Sequence, residues 1–196
     1  MNIEKEITVL VKTSYENLKK ELVRNNFVLK EEYTVNDIYL INKNLALNEM
    51  DSLDVLKKCV LIRDVVNIEK VLLYKYKKYA DDGSIIEQGK IKCPIFDVAK
   101  AQSFMEAIGY KKIFNINDNC KVYVNSETEL VVQIVNDKYV FIEMEDKPEY
   151  LDKVYDDINS MKDELLSYNL SIDKNNFYVK KAQMILNEVL NNNMSS

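Results

Sequence analysis

Four glutamates stand in two alternating pairs, Glu4 and Glu6 near the start of the chain and Glu143 and Glu145 near its end. Residues two apart on a β-strand project from the same side, so each pair offers two carboxylates to one face. If the pairs meet, their repulsion calls for a cation. Mg²⁺ or Mn²⁺ would serve, because hard ions prefer oxygen ligands. Basic residues alternate in the same way between them, as Lys75 with Lys77 and Lys90 with Lys92. Together with Arg63 these lysines could hold an anion that bridges to the metal. A phosphate chain fits: arginine grips it through two parallel hydrogen bonds, lysine as a point charge.

Other chemistry is closed to the chain. It has no histidine, which removes histidine general bases, Ser-His and Cys-His nucleophiles and His-ligated metals. Its three glycines, Gly83, Gly89 and Gly109, cannot build a phosphate-cradling glycine loop. Side chains must do that work. The net charge of −5 argues against nucleic acid as a partner. Cys59, Cys93 and Cys120 are odd in number and widely spaced, so half-buried free thiols are expected in place of disulfides or a zinc site. No apolar run approaches the roughly 18 residues of a membrane span. The start, Met1-Asn2-Ile3-Glu4-Lys5-Glu6, lacks the features of a signal peptide. A cytoplasmic protein without a membrane partner is the expectation.

The 196 residues suit one domain, at roughly 100–200 residues each. Residues 3–11 alternate as a strand, and Thr13 with Glu16 fits a capping box for a helix carrying Tyr15, Leu18 and Leu22. Asn25-Asn26 can end that helix. Strands are expected at 27–33, 37–41, 59–66, 71–79 and 85–95, with a turn at Asp82-Gly83 and an edge or bulge near Pro94. Asp97 can cap a second helix that stops at Gly109. Further strands read at 111–116, 121–124, 129–135 and 139–145. Helices are expected from Pro148 to about Ser167 and from Lys174 to Leu190, so that C-terminal helices occupy about 149–190.

Eight or nine strands with few helices predict an α+β protein built on a large antiparallel sheet. An open sheet with one wet face explains any single alternating strand. A closed or nearly closed barrel of about eight strands, with helices outside and charges inside, better explains acidic pairs on the first and last strands with basic pairs between.

These residues resemble the CYTH family, the triphosphate tunnel metalloenzymes. The family's opening E-x-E-x-K is matched by Glu4, Glu6 and, in place of the lysine, Thr8. Its D-x-Y strand is matched by Asp37-Ile38-Tyr39, and its R-x-R strand by Leu61-Ile62-Arg63, with leucine at the first arginine. Lys75 matches the lysine strand, and Glu143-Met144-Glu145 the late E-x-E. Gln88-Gly89-Lys90-Ile91-Lys92 carries lysines where the family has acids. Gln133 replaces an aspartate, and Lys121 alone could serve on a strand where the family is basic.

The resemblance implies Mg²⁺- or Mn²⁺-dependent hydrolysis of an inorganic or organic triphosphate in a charged tunnel. In one branch it implies cyclisation of ATP to cyclic AMP. It assigns Glu4, Glu6, Glu143 and Glu145 to the metal, and Arg63 and Lys75 to phosphate. Lys77, Lys90, Lys92 and Lys121 could replace the missing basic residues. The lost clamp residues also admit a non-catalytic binder of polyphosphate or nucleotide, and the fold alone admits an interaction protein.

Overall fold

The computed structural model describes residues 5–80, 83 and 85–194. Glu4 and Asp82 lie outside the described residues, and so does the side chain of Lys77. The elements run β1 (Glu6–Leu10), α1 (Tyr15–Arg24), β2 (Val28–Asn42), a 3₁₀ turn (Leu47–Glu49), α2 (Ser52–Lys57), β3 (Val60–Val65), β4 (Glu69–Tyr79) and β5 (Ile85–Pro94). They continue with α3 (Val98–Ala107), β6 (Tyr110–Val124), β7 (Glu129–Val135), β8 (Tyr139–Glu145), α4 (Ile158–Ser167) and α5 (Lys181–Met194). The strands form one eight-stranded antiparallel sheet in the order β1-β8-β7-β6-β2-β3-β4-β5. The expected α+β architecture is present. Among the described residues the ladder has two ends, β1 and β5, and hydrogen bonds do not close it into a ring.

The chain divides into two compact units. The first holds residues up to Tyr33, Tyr79–Ile86 and Asp118–Val179; the second holds Thr34–Lys78, Glu87–Asn117 and the residues from Lys180 onward. In the first unit, alternation on β1 and β8 gives an apolar side made of Ile7, Val9, Ile142 and Met144, all buried. Leu18 and Leu22 of α1 and Met161 and Leu165 of α4 complete that core with Leu130 and Val132. Truncating one such leucine to alanine removes about 2–5 kcal/mol of stability. In the second unit, Leu40 and Ile62 meet Met105 of α3, with Ile38, Leu72, Val98 and Ala101 around them.

Local signals explain the helix ends. Asn26 takes φ 62°, and Phe27 N–H donates to the Leu22 carbonyl at 3.0 Å, closing α1 as a left-handed cap does. Asp97 accepts from Lys100 N–H at 2.9 Å and starts α3, and Gly109 takes φ 96° just beyond its end. The N-cap of α1 is Ser14, not Thr13. Ser14 Oγ accepts from Asn17 N–H, which puts Glu16 one position too early for a capping box.

Other boundaries differ from the sequence reading. β2 and β6 are each one long strand, where two short ones are read from the sequence. α4 begins only at Ile158, where Asp157 accepts from Ser160 N–H at 2.9 Å. α5 begins at Lys181, not Lys174, because the preceding segment pairs with β1. Thr8 N–H donates to the Phe177 carbonyl at 2.9 Å, Val179 N–H to the Thr8 carbonyl at 3.0 Å, and Asp173 N–H to the Leu10 carbonyl at 2.8 Å. The outer edge of β1 is thereby covered, as exposed strand edges usually must be. Of the three thiols, Cys59 and Cys120 are buried and Cys93 is exposed, and all are free. Burial pushes the Cys59 thiol up to about 12.

Candidate functional site

In the first unit the β1–β8 register sets Glu6 opposite Glu145 and Thr8 opposite Glu143. All four therefore project from the side opposite the helix-packed core. The same side continues across β7 and β6, where Gln133 lies opposite Phe141 and Cys120 opposite Gln133. The Gln133 amide donates to Glu143 Oε2 at 3.4 Å. A carboxamide here supplies a donor where an aspartate would add a second negative charge beside Glu143.

Tyr33 joins this face. Burial raises its phenol well above the usual range, and a hydrogen bond with Cys120 and the nearby charges of Glu143 and Asp118 raise it further. It is a phenol, not a phenolate, at any physiological pH. Nothing in the sequence marked Tyr33 or Cys120 as part of this face, because strand phase across Asn115–Cys120 is unreadable in a run of mixed polar residues.

Lys121 stands elsewhere. It lies opposite Val132, on the side of the sheet that faces the helices. Its Nζ donates to Glu32 at 2.5 Å and lies 5.6 Å from the Tyr15 ring centroid. It does not share a face with Glu143.

In the second unit Arg63 lies opposite Asp37, and the two form a forked pair. Arg63 Nε donates to Asp37 Oδ1 at 2.7 Å and Nη2 to Oδ2 at 2.6 Å. Leu61, Leu73 and Tyr39 on the same side are buried. Tyr39 stacks on Phe114 with ring centroids 4.2 Å apart. The leucine at position 61 thus fills an apolar layer, with Leu73 directly across from it. Lys75 is half-buried and follows Leu73 by two residues, so it points the same way as Arg63. Lys92 is exposed and bonds Glu69 at 2.8 Å. Glu69 is on the Arg63 side, so Lys92 and its two-residue neighbour Lys90 share that side too. Arg63, Lys75, Lys90 and Lys92 therefore share one face of the second unit with Asp37 and Glu69.

The carboxylates suit a hard cation chemically, and Glu6 and Glu145 are direct cross-strand neighbours. Among the described residues, no three or more His, Cys, Asp or Glu side chains converge closely enough to hold a metal ion. Glu6, Glu143 and Glu145 share a face without forming a finished cage.

No family model matches the chain, and no curated protein matches it in sequence. Solved structures do match. A Pyrococcus horikoshii protein superposes with a TM-score of 0.61 at 15% identity, covering 95% of this chain and 99% of that one. A Hippeastrum protein, named as an adenylyl cyclase with a dominant triphosphatase activity, superposes with a TM-score of 0.54 at 14% identity over 88% and 90% of the two chains. A Vibrio parahaemolyticus protein named for adenylate cyclase does so with a TM-score of 0.54 at 14% identity over 97% and 98%. The chain shares their fold. At such identities the likeness concerns the fold and not the activity.

Proposed function

We propose that this protein is a divergent CYTH-type protein that binds a triphosphate together with Mg²⁺ or Mn²⁺, and hydrolyses it weakly. The observation that carries the reading is the ladder of Glu6 opposite Glu145 and Thr8 opposite Glu143 on one side of the sheet. Its support is the fold shared with proteins named for adenylate cyclase and triphosphatase.

On this reading Glu6, Glu143 and Glu145, with Glu4 beyond the described residues, hold the cation through carboxylate oxygens. The cation polarises phosphoryl oxygens when bound. Gln133 orients Glu143 by its amide. Arg63, Lys75, Lys90 and Lys92 bind phosphate oxygens. Phosphoryl transfer depends on positioning and charge stabilisation more than on covalent chemistry by the protein. Weak turnover follows from two features. Thr8 and Leu61 bring no charge, and loss of a donor to transition-state charge lowers rates about 10²–10³-fold. Arg63 also gives two of its donors to Asp37.

A second reading, a polyphosphate or nucleotide binder without turnover, is favoured by the Arg63–Asp37 fork and the Lys92–Glu69 pair. The test incubates inorganic triphosphate, thiamine triphosphate and ATP with Mg²⁺ or Mn²⁺, measuring phosphate, cyclic nucleotide and binding. Phosphate release abolished by Glu6→Gln supports the first reading. Binding without product supports the second. Cyclic AMP would replace both with a cyclase. Neither binding nor product would remove the phosphate chemistry altogether.

A further inference from the structure

The second unit carries an unusual surface around α3. Met105 and its partners Val98 and Ala101 face the sheet, yet the outer side of the helix carries large apolar residues among its polar ones. Phe96, two residues before the helix, is 101% exposed, Phe104 is 63% exposed and Ile108 is 55% exposed. Single exposed apolar residues are ordinary, but three large ones along one short helix and its entry are not.

Around them exposed basic residues outnumber the acids Asp97 and Glu106. Lys100, Lys111, Lys112 and Lys43 are all exposed. Lys43 N–H donates to the Gly109 carbonyl at 2.9 Å, and its side chain lies 3.6 Å from where a Cβ on Gly109 would sit, just beyond the end of the helix. None of the four lysines forms an ion pair among the described residues. The acids of the helix are engaged locally. Asp97 caps its N-terminus, and Glu106 accepts from Gln102 at 2.7 Å.

We propose that α3 and its entry loop form a peripheral membrane-contact surface that rests on anionic lipid, with Phe96, Phe104 and Ile108 in the interfacial region and Lys43, Lys100 and one of the adjacent strand residues Lys111 and Lys112 at the headgroups. Apolar protrusions ringed by basic residues are the features by which a helix lies in a bilayer interface. Each lysine near an anionic surface adds attraction that salt removes. The chain as a whole carries a charge of −5, so attraction to an anionic surface has to come from a local patch. A two-fold contact between copies is disfavoured, because an isologous interface sets the same lysines against each other. A protein partner would need a pocket for the fully protruding Phe96, whereas a fluid interface accepts any protrusion. The absence of a spanning segment says nothing against such a contact: no helix among the described residues is long and apolar enough to cross a membrane, but lying on one requires only a face.

The chain contains no tryptophan, so Phe96→Trp or Phe104→Trp provides a single fluorophore at the proposed contact. The probes are vesicles of pure phosphatidylcholine and vesicles in which about one third is phosphatidylserine. The expected result is a blue shift in both variants with the anionic vesicles only, lost at high salt and in the Lys100→Glu/Lys111→Glu/Lys112→Glu background. In sedimentation of the otherwise unaltered protein, Phe104→Ser should lower vesicle affinity about tenfold or more, with unchanged circular dichroism. No shift with anionic vesicles would overturn the proposal. A shift that grows with protein concentration without lipid would also overturn it, and would assign the face to self-association.

Discussion

Asp37→Asn should make the protein less stable while tightening its grip on a phosphate chain. The Asp37 side chain is 7% exposed and that of Arg63 24%, joined by two charge-assisted hydrogen bonds of 2.7 and 2.6 Å. Removing one member of a buried pair typically costs about 3–5 kcal/mol. Asparagine keeps one acceptor, and a guanidinium one quarter exposed still meets water, so the expected loss here is about 2 kcal/mol. For a chain of this length that lowers the melting temperature by roughly 4–8 °C. The same change cancels a negative charge beside Arg63 and returns a donor to it. Affinity for inorganic triphosphate should then rise about tenfold, the effect of one favourable charge-assisted contact. Urea unfolding and calorimetric titration at matched salt measure the two effects on one sample. The reasoning fails if stability falls and triphosphate affinity falls with it, since Asp37 would then hold Arg63 in a binding geometry. It also fails if neither quantity changes, since the fork would then carry no energy.

Glu164 should govern part of the acid sensitivity of the first unit. Burial opposes its charge, but hydrogen bonds from Lys153, Thr128 and Tyr155 outweigh that and hold its carboxyl below the usual value near 4.5. A lowered folded pKa stabilises the fold above the usual value and loses that contribution as the pH falls through the folded one. Urea unfolding of Glu164→Gln should therefore show lower stability at neutral pH and a flatter decline in acid than the unaltered protein. Glu6→Gln and Glu143→Gln should each weaken Mn²⁺ binding about tenfold through loss of a charged oxygen ligand, read by calorimetry; unchanged affinity in both would take the cation away from this face. Val179→Pro deletes the N–H that bonds the Thr8 carbonyl at 3.0 Å. It should speed hydrogen exchange at the Thr8 amide and promote self-association on sizing columns, as a strand edge comes uncovered; unaltered exchange at Thr8 would show that the pairing does not protect β1.

Strand parity is the part of this protein that the sequence determined by itself. Side chains alternate with period two whatever the partner strand. Glu6 with Thr8, Glu143 with Glu145, and Lys90 with Lys92 were therefore bound to share faces once those segments were strands. Local chemistry settled the ends of α1 and α3 in the same way, through Asn26, Asp97 and Gly109. Pairing between distant segments was not legible. Phe177–Val179 read as the start of a helix until backbone hydrogen bonds to Thr8, far away in sequence, drew them into extended conformation. Lys121 looked like a site residue because it alone is basic on a strand where the resembled family is basic. Only the register with Val132 put it on the helix side with Glu32. Leu61 read as a lost arginine, and the tertiary structure gave it a packing role against Leu73. The exposure of Phe96 and Phe104 was not legible either, because amphipathic spacing shows that a helix has an apolar stripe but not whether every apolar residue finds a neighbour. Alternation and capping are decided within a few residues. Which faces meet and which charges are neutralised depends on contacts that exist only once the chain has folded.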